Sequence, residues 1–188
     1  MKEDLEKLCS RVSVVAAGGA IRRYHTFQTI QQQTNAEHQW RVASLMRLFH
    51  PTCSMAAIDI ALHHDTYELF TGDLPADAKI TSPNLKLAAG AVEVGAGYKY
   101  ELFDYSAATP YERFLINLLD KIEALMFLMR DARMGNLYAK DKINELCTRI
   151  EESMSHAPVT GAMKGSEVAS YDLLCRFYYQ LAEGKIDV

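Results

Sequence analysis

The chain has 188 residues, 49% hydrophobic and 23% charged, which is the composition of a globular protein with a full core. Its formal net charge of −4 excludes a general binder of polymeric nucleic acid, because such proteins present a strongly basic face. We expect a cytoplasmic protein without a membrane partner, since the four cysteines form no CxxC pair, the N-terminal residues carry no apolar signal segment, and no apolar run approaches ~20 residues.

The hydrophobic pattern predicts an all-α fold, a single helical bundle domain over residues 1–188 without repeats. In chain order, the predicted helices run from about Leu5 to Gly18, from the N-cap Thr34 to Pro51, from the N-cap Ser54 to His64, from the N-cap Ser82 towards Phe103, from the N-cap Thr109 to Gly135, over about 136–155 and over about 166–183. Residues 21–33 show no clear period and are expected to form an ordered loop. Thr34 and Thr109 each precede a glutamate by three residues, which is the spacing of a capping box.

Polar residues that are costly to bury without a partner interrupt this apolar pattern. His38 lies in the first turns of the second helix, His64 and Asp65 adjoin at the end of the third, and Asp120 lies within the apolar run of the fifth. Taken singly, each favours a structural interpretation, such as a locally bonded histidine, a helix-end cluster or an aspartate paired with Arg or Lys. Together, two imidazoles and two carboxylates have the elements of a divalent-metal site with positions open to water and substrate.

The order His38, His64–Asp65, Asp120 resembles the H…HD…D signature of the HD-domain phosphohydrolases, which are metal enzymes with an all-α fold. The likeness extends to Arg23–Tyr24, to the Asn-Ala-Glu-His element at 35–38 and to residues 64–75 with Lys79. In these segments the chain resembles the bacterial YfbR-type 5′-deoxynucleotidases and the small phage enzymes that destroy dATP in viruses replacing adenine by 2-aminoadenine. The doublet alone is a weak signal, whereas the Glu-Leu-Phe-Thr-Gly-Asp-Leu-Pro segment is a specific one. The resemblance covers roughly residues 20–135.

The resemblance implies a role for each matching residue. The ligands of a divalent transition metal, with Zn, Co and Mn as candidates, would be His38, His64, Asp65 and Asp120. Glu68 would orient or deprotonate the attacking water, and Asp73 would protonate the leaving oxygen. Without a metal site, Glu68 is a solvent-facing helix acid and Asp73 a turn former.

Three further residues would contact the substrate. Arg23 and Lys79 would bind phosphate oxygens, Arg through its planar fork and Lys as a point charge. Tyr24 would face the sugar or the base. The structural alternatives are two ordinary surface cations and a tyrosine packed in the core.

The implied reaction is hydrolysis of a small-molecule deoxynucleotide by attack of metal-activated water on the α-phosphorus. We expect a dATP triphosphohydrolase that releases deoxynucleoside and tripolyphosphate. The alternative is a 5′-deoxynucleotidase, which differs in that its pocket admits no further phosphates. A non-catalytic nucleotide-binding or interaction domain would lack a ligand or an acid, and none is missing here. The resemblance also implies a homo-oligomer, in which the apolar residues of 177–181 either form an interface or complete the core.

Overall fold

The computed structural model describes residues 2–157, 163 and 165–186, and in these residues the regular structure is helical, as predicted. The helices are α1 (Lys2–Gly19), α2 (Asn35–Phe49), α3 (Met55–His63), α4 (Ala76–Thr81), α5 (Pro83–Tyr100), α6 (Pro110–Arg133), α7 (Ala139–Ser155) and α8 (Gly165–Ala182). Two 3₁₀ turns, Thr66–Phe70 and Tyr105–Ala107, complete the set. Residues 21–33 form a non-helical loop, as the sequence indicates, closed by an isolated bridge between Arg22 and Thr34.

Both predicted capping boxes form. The hydroxyl of Thr34 accepts from the backbone N–H of Glu37 at 3.3 Å, and the Glu37 carboxylate accepts from the Thr34 N–H at 2.9 Å. The same reciprocal pair joins Thr109 and Glu112 at 3.1 and 2.8 Å. Glu112 also accepts from the backbone N–H of Ser54 at 2.6 Å, so the cap that begins α6 is tied to the start of α3. These bonds satisfy helix-end N–H groups that have no partner within the helix.

Helix α6 lies at the centre of the bundle and contacts α2, α3, α7 and α8. Its inward side chains are fully buried, among them Leu115, Leu119 and Ile122. Tyr178 and Leu181 of α8 are also fully buried against this core, so the second of the two interpretations of residues 177–181, completion of the core, holds for these two side chains.

In the described part of the chain, no helix is both long and apolar enough to span a bilayer.

Helix α1 packs on the 3₁₀ turn Thr66–Phe70 rather than on the main core. The residues that mark α1 in the sequence, Leu5, Leu8 and Val12, have 60%, 54% and 59% of their surface exposed. The buried side of α1 approaches the 3₁₀ turn so closely that a methyl group at Gly18 would lie 2.3 Å from the carbonyl oxygen of Thr66. A side chain at that position would separate the two elements.

The segment after α3 contains the expected turn next to Asp73, but Glu68 lies on a 3₁₀ turn rather than on an α-helix. It forms the 3₁₀ turn Thr66–Phe70, a turn at Gly72 with φ of 73°, and the short helix α4, which has no buried residue. Few apolar side chains anchor α4, so its position depends on polar contacts with its neighbours.

Replacing Gly18 by alanine tests the close contact between α1 and the 3₁₀ turn. We expect Gly18→Ala to lower the free energy of unfolding by about 1–3 kcal/mol, because the added methyl group overpacks against backbone. Gly90→Ala in α5 is the matched control: nothing lies within 4 Å of its added methyl group, and the change should raise that free energy by about 0.4–1 kcal/mol. Chemical denaturation of both variants measures the difference, and equal effects would contradict the packing described.

Candidate metal centre and active-site cavity

Four side chains that are distant in the sequence converge, namely those of His38, His64, Asp65 and Asp120. The Nε2 atom of His38 lies 3.3 Å from Nε2 of His64 and 3.0 Å from Oδ1 of Asp120. Oδ2 of Asp65 lies 3.6 Å from each of the two Nε2 atoms, and Oδ1 of Asp120 lies 4.0 Å from Nε2 of His64. Ligands bound at about 2.0–2.2 Å to one metal are themselves about 3–4 Å apart. The spacing of the His38, His64 and Asp65 atoms therefore suits a shared cation, and Asp120 lies beside this group.

The hydrogen bonds of the two imidazoles orient their Nε2 atoms towards each other. Nδ1 of His38 lies 2.5 Å from the Glu123 carboxylate, and Nδ1 of His64 lies 3.0 Å from the carbonyl oxygen of Ala61. Because both acceptors require Nδ1 to carry the proton, a neutral pair would direct two Nε2 lone pairs at each other. Although burial and Arg23 lower the pKa of His38, its hydrogen bonds to Asp120 and Glu123 raise it to about 9. The site thus favours a positive charge at Nε2, which a metal cation would supply.

Glu123 is a buried carboxylate to which the sequence assigns no role. It accepts from Gln33 Nε2 at 2.7 Å and from Arg41 at 3.2 Å, in addition to its contact with His38. Burial raises the pKa of Glu123, but His38, followed by Arg23 and Arg41, brings it below its usual value. The one sequence signal for a role of Glu123 is its place in an apolar run, three residues after Asp120. Its position fixes the tautomer of His38.

Arg23 lies beside the two acidic members of the group. Its guanidinium contacts Oδ2 of Asp65 at 2.5 Å and approaches Oδ1 of Asp120 at 4.0 Å. The buried Nε atom of Arg23 has no hydrogen-bond partner. Arg23 also lines the cavity described below, so its positive charge is available to an anion that enters it.

Glu68, on the 3₁₀ turn, lies buried next to the candidate ligands. It accepts from Nδ2 of Asn35 at 3.0 Å, and Nζ of Lys79 lies 3.6 Å from its other oxygen. Burial, with repulsion from Asp65 and Asp73, raises the pKa of Glu68 to about 8. A carboxyl group in this environment can exchange a proton near neutral pH.

Asp73 and Tyr24 are joined through the backbone. The Asp73 carboxylate accepts from the N–H of Tyr24 at 3.2 Å, and Tyr24 has a left-handed φ of 57°. The Tyr24 ring stacks on Phe127 with 4.9 Å between centroids, and its buried hydroxyl has no partner. Both residues line the cavity described next, so Tyr24 is not a core residue alone.

A cavity of about 380 Å³ extends from the candidate ligands. The predicted residues that line it are Arg23, Tyr24, Asp65, Glu68, Asp73, Lys79 and Asp120. Its lining also includes Lys121 of α6 and three residues of α7, which lies beyond the segments that carry the family resemblance: Lys142, Glu145 and Arg149. The sequence offered no motif for α7, since its charged residues are indistinguishable from those of a solvated helix face.

Comparison with known proteins places these observations in a family. The family model of the YfbR-like 5′-deoxynucleotidases matches residues 14–163. A dATP triphosphohydrolase of cyanophage S-2L is 35% identical over 115 residues, which are 57% of this chain and 63% of that enzyme. The matched part thus spans less than two thirds of the curated relative.

Solved structures with the same fold include three proteins below 25% identity. The HD phosphohydrolase of cyanophage S-2L, bound to dA and one catalytic Zn²⁺ ion, has a TM-score of 0.70 at 24% identity, over 92% of this chain and 96% of that one. An HD-domain phosphohydrolase of Listeria innocua has 0.65 at 19%, over 92% and 98%. A protein of Pyrococcus horikoshii OT3 has 0.66 at 17%, over 91% and 98%. The predicted all-α fold of the HD phosphohydrolases is confirmed.

Neutralising Glu123 tests whether it positions His38 for a cation. We expect Glu123→Gln to weaken Zn²⁺ binding roughly 10- to 100-fold, because the imidazole loses its charged partner. Glu152→Gln on the exposed face of α7 is the control and should bind as the wild type does. Competition with a chelator measures the affinity, and circular dichroism shows whether the fold is retained. Unchanged affinity in a folded Glu123→Gln protein would contradict the assignment.

Proposed function

The chain belongs to the YfbR-like 5′-deoxynucleotidase family, and from this premise we propose that it is a metal-dependent phosphohydrolase that hydrolyses dATP to deoxyadenosine and tripolyphosphate. The convergence of two imidazole Nε2 atoms with two carboxylates, both of which line the cavity, carries the proposal. The choice of dATP rests on the similarity to the cyanophage dATP triphosphohydrolase.

The proposed metal ligands are His38, His64, Asp65 and Asp120. This set of two nitrogens and two oxygens suits a divalent transition metal, and we propose zinc, with cobalt and manganese as alternatives. When bound, such an ion polarises a phosphoryl oxygen and lowers the pKa of water from 15.7 towards about 7. Glu123 keeps the proton of His38 on Nδ1, which leaves Nε2 free to ligate.

The remaining residues act on the water and the phosphate. Glu68, held by Asn35, takes up the proton of the attacking water, which is consistent with a pKa raised to about 8. Arg23 and Lys79 neutralise the oxygens of the α-phosphate. The new P–O bond forms as the bond to the 5′-oxygen of deoxyribose breaks, and the proton that Glu68 has taken up passes through Asp73 to that oxygen. Tyr24 provides an aromatic face for the sugar or base.

A 5′-deoxynucleotidase acting on a deoxynucleoside monophosphate is the second candidate, favoured by the description of the matching family. It would use the same residues, because the reactive phosphorus is the same. The cavity supports the triphosphate, since its lining includes two cations of α7, Lys142 and Arg149, in addition to Arg23 and Lys79. A non-catalytic binding or interaction domain is the weakest candidate, because the ligand and acid side chains are present and lie together.

Product analysis separates these candidates. The protein is incubated with Zn²⁺, Co²⁺ or Mn²⁺ and with either dATP or dAMP. The dATP reaction should yield tripolyphosphate. Glu68→Gln should retain the metal and lower kcat about 10²- to 10⁴-fold, whereas the exposed Glu6→Gln should have no effect. Asp120→Ala should lose metal and activity together.

Two results would oppose the proposal. Orthophosphate from dAMP, with dATP untouched, would make the protein a 5′-deoxynucleotidase. Wild-type metal content and turnover in Asp120→Ala would remove Asp120 from the ligand set.

We further propose that the chain forms a homo-oligomer in the cytoplasm. The exposed stripe of Leu5, Leu8 and Val12 on α1 supports self-association, because a second copy would remove this apolar surface from water. Leu8→Lys should therefore lower the mass measured by light scattering, whereas Leu48→Lys, a similarly exposed leucine on α2, should not. A monomeric wild type would overturn this proposal.

A further inference from the structure

The lining of the cavity contains a four-residue charge cluster, formed by Asp77 of α4 with Lys142, Glu145 and Arg149 of α7. Nζ of Lys142 lies 3.1 Å from Oε2 of Glu145, and Arg149 lies 3.2 Å from Oδ1 of Asp77. Lys142 also pairs with Oδ2 of Asp77, and Arg149 with Oε1 of Glu145. The proposed reaction at the α-phosphorus uses none of these residues.

Helix geometry holds the two cations on one face. Positions 142, 145 and 149 are separated by three and four residues, so their side chains lie on the same side of α7. Glu145 stands between Lys142 and Arg149 and contacts both, which orients them together towards the cavity. The pair is therefore arranged before any ligand arrives.

The Asp77 carboxylate lies between these two cations, where the phosphate group of a ligand could also bind. One of its carboxylate oxygens contacts Lys142 and the other contacts Arg149. A phosphate group offers the same arrangement of several oxygens on one centre, with more negative charge. Lys and Arg both bind phosphate oxygens, Arg through two parallel N–H groups.

The contact of Asp77 can be exchanged at small cost. Its side chain is 52% exposed, and α4 has no buried residue to hold it in place. Exposed ion pairs contribute only about 0–1 kcal/mol. A multiply charged ligand can therefore displace the Asp77 carboxylate.

Charge on this side of the cavity favours an anion. Lys121, next to Asp120 in the sequence, also lines the cavity. With Asp77 in place, Lys142 and Arg149 face two carboxylates; with Asp77 displaced, they face only Glu145. On the side of the candidate ligands, by contrast, Arg23 and Lys79 stand among four acids, Asp65, Glu68, Asp73 and Asp120.

We propose that Lys142 and Arg149 bind the terminal phosphates of a nucleoside triphosphate, in place of the Asp77 carboxylate, and so select triphosphates over monophosphates. This inference rests on the proposed function, since the α-phosphate must lie near Arg23 and Lys79 for the β- and γ-phosphates to reach α7. Asp77 competes with the substrate for the same two cations.

Substrate selectivity tests the subsite. In Arg149→Ala, and likewise in Lys142→Ala, the ratio of kcat/KM for dATP to kcat/KM for dAMP should fall roughly ten- to hundredfold, because a charge-assisted hydrogen bond to the terminal phosphates is lost. Arg176→Ala is the matched control, since Arg176 forms the same i,i+4 pair with Asp172 on the exposed face of α8. Its ratio should equal that of the wild type.

Asp77→Asn distinguishes binding from a structural role. Removing the competing carboxylate should lower KM for dATP, opposite in sign to Arg149→Ala. If the cluster only holds α4 in position, both variants will change KM in the same direction and will affect dAMP equally, which would overturn the subsite.

Inhibition by the product tests the subsite whichever nucleotide the enzyme hydrolyses. Inorganic tripolyphosphate should inhibit the wild type more strongly than Arg149→Ala, whereas orthophosphate should inhibit both equally. If the wild type hydrolyses dAMP alone, the triphosphohydrolase proposal fails, but the tripolyphosphate comparison, read as competition against dAMP, still decides the subsite. Equal inhibition of both proteins by tripolyphosphate would overturn it.

Discussion

The structure of the site depends on the approach of two imidazole nitrogens, Nε2 of His38 and Nε2 of His64, to 3.3 Å. Each ring has its Nδ1 proton committed to an acceptor, so the facing atoms repel unless a positive charge lies between them and the neighbouring carboxylates. Glu123 contributes to this arrangement from a position with no exposure to solvent, where removing its partners would leave a buried charge. The approach of these atoms follows from the packing of α2 against α6 and α3, not from any one residue.

The same helix serves both stability and chemistry. One face of α6 carries the leucine and isoleucine side chains of the core, and the adjoining face carries Asp120, Lys121 and Glu123. Because a well-packed helix restricts its own side chains, these polar groups hold their positions closely. By contrast, Glu68, Asp73 and Lys79 lie on short elements between α3 and α5, of which α4 has no buried residue. The position of Asp120 is thus closely restricted by the packing of α6, whereas α4, which carries Lys79, is more loosely held.

The cavity has two chemically different ends. At one end, acids outnumber cations, which suits a divalent metal and proton transfer. At the other end, the cations of α7 are arranged by Glu145 and shared with Asp77. If α7 binds the terminal phosphates as proposed, a change in α7 would alter the choice of substrate without altering the residues proposed to act on the reactive phosphorus.

Local interactions are what the sequence by itself determined. The capping boxes at Thr34 and Thr109 involve residues three apart, so their spacing alone predicted where α2 and α6 begin. The order of histidines and aspartates, with the segment after His64, was enough to indicate the fold and the family. Tertiary structure alone decided that Glu123 contacts His38, that the apolar stripe of α1 remains exposed, and that Lys142 and Arg149 face the cavity. These contacts join residues far apart in the chain, and a charged or apolar side chain has the same local pattern whether it meets solvent or a distant partner.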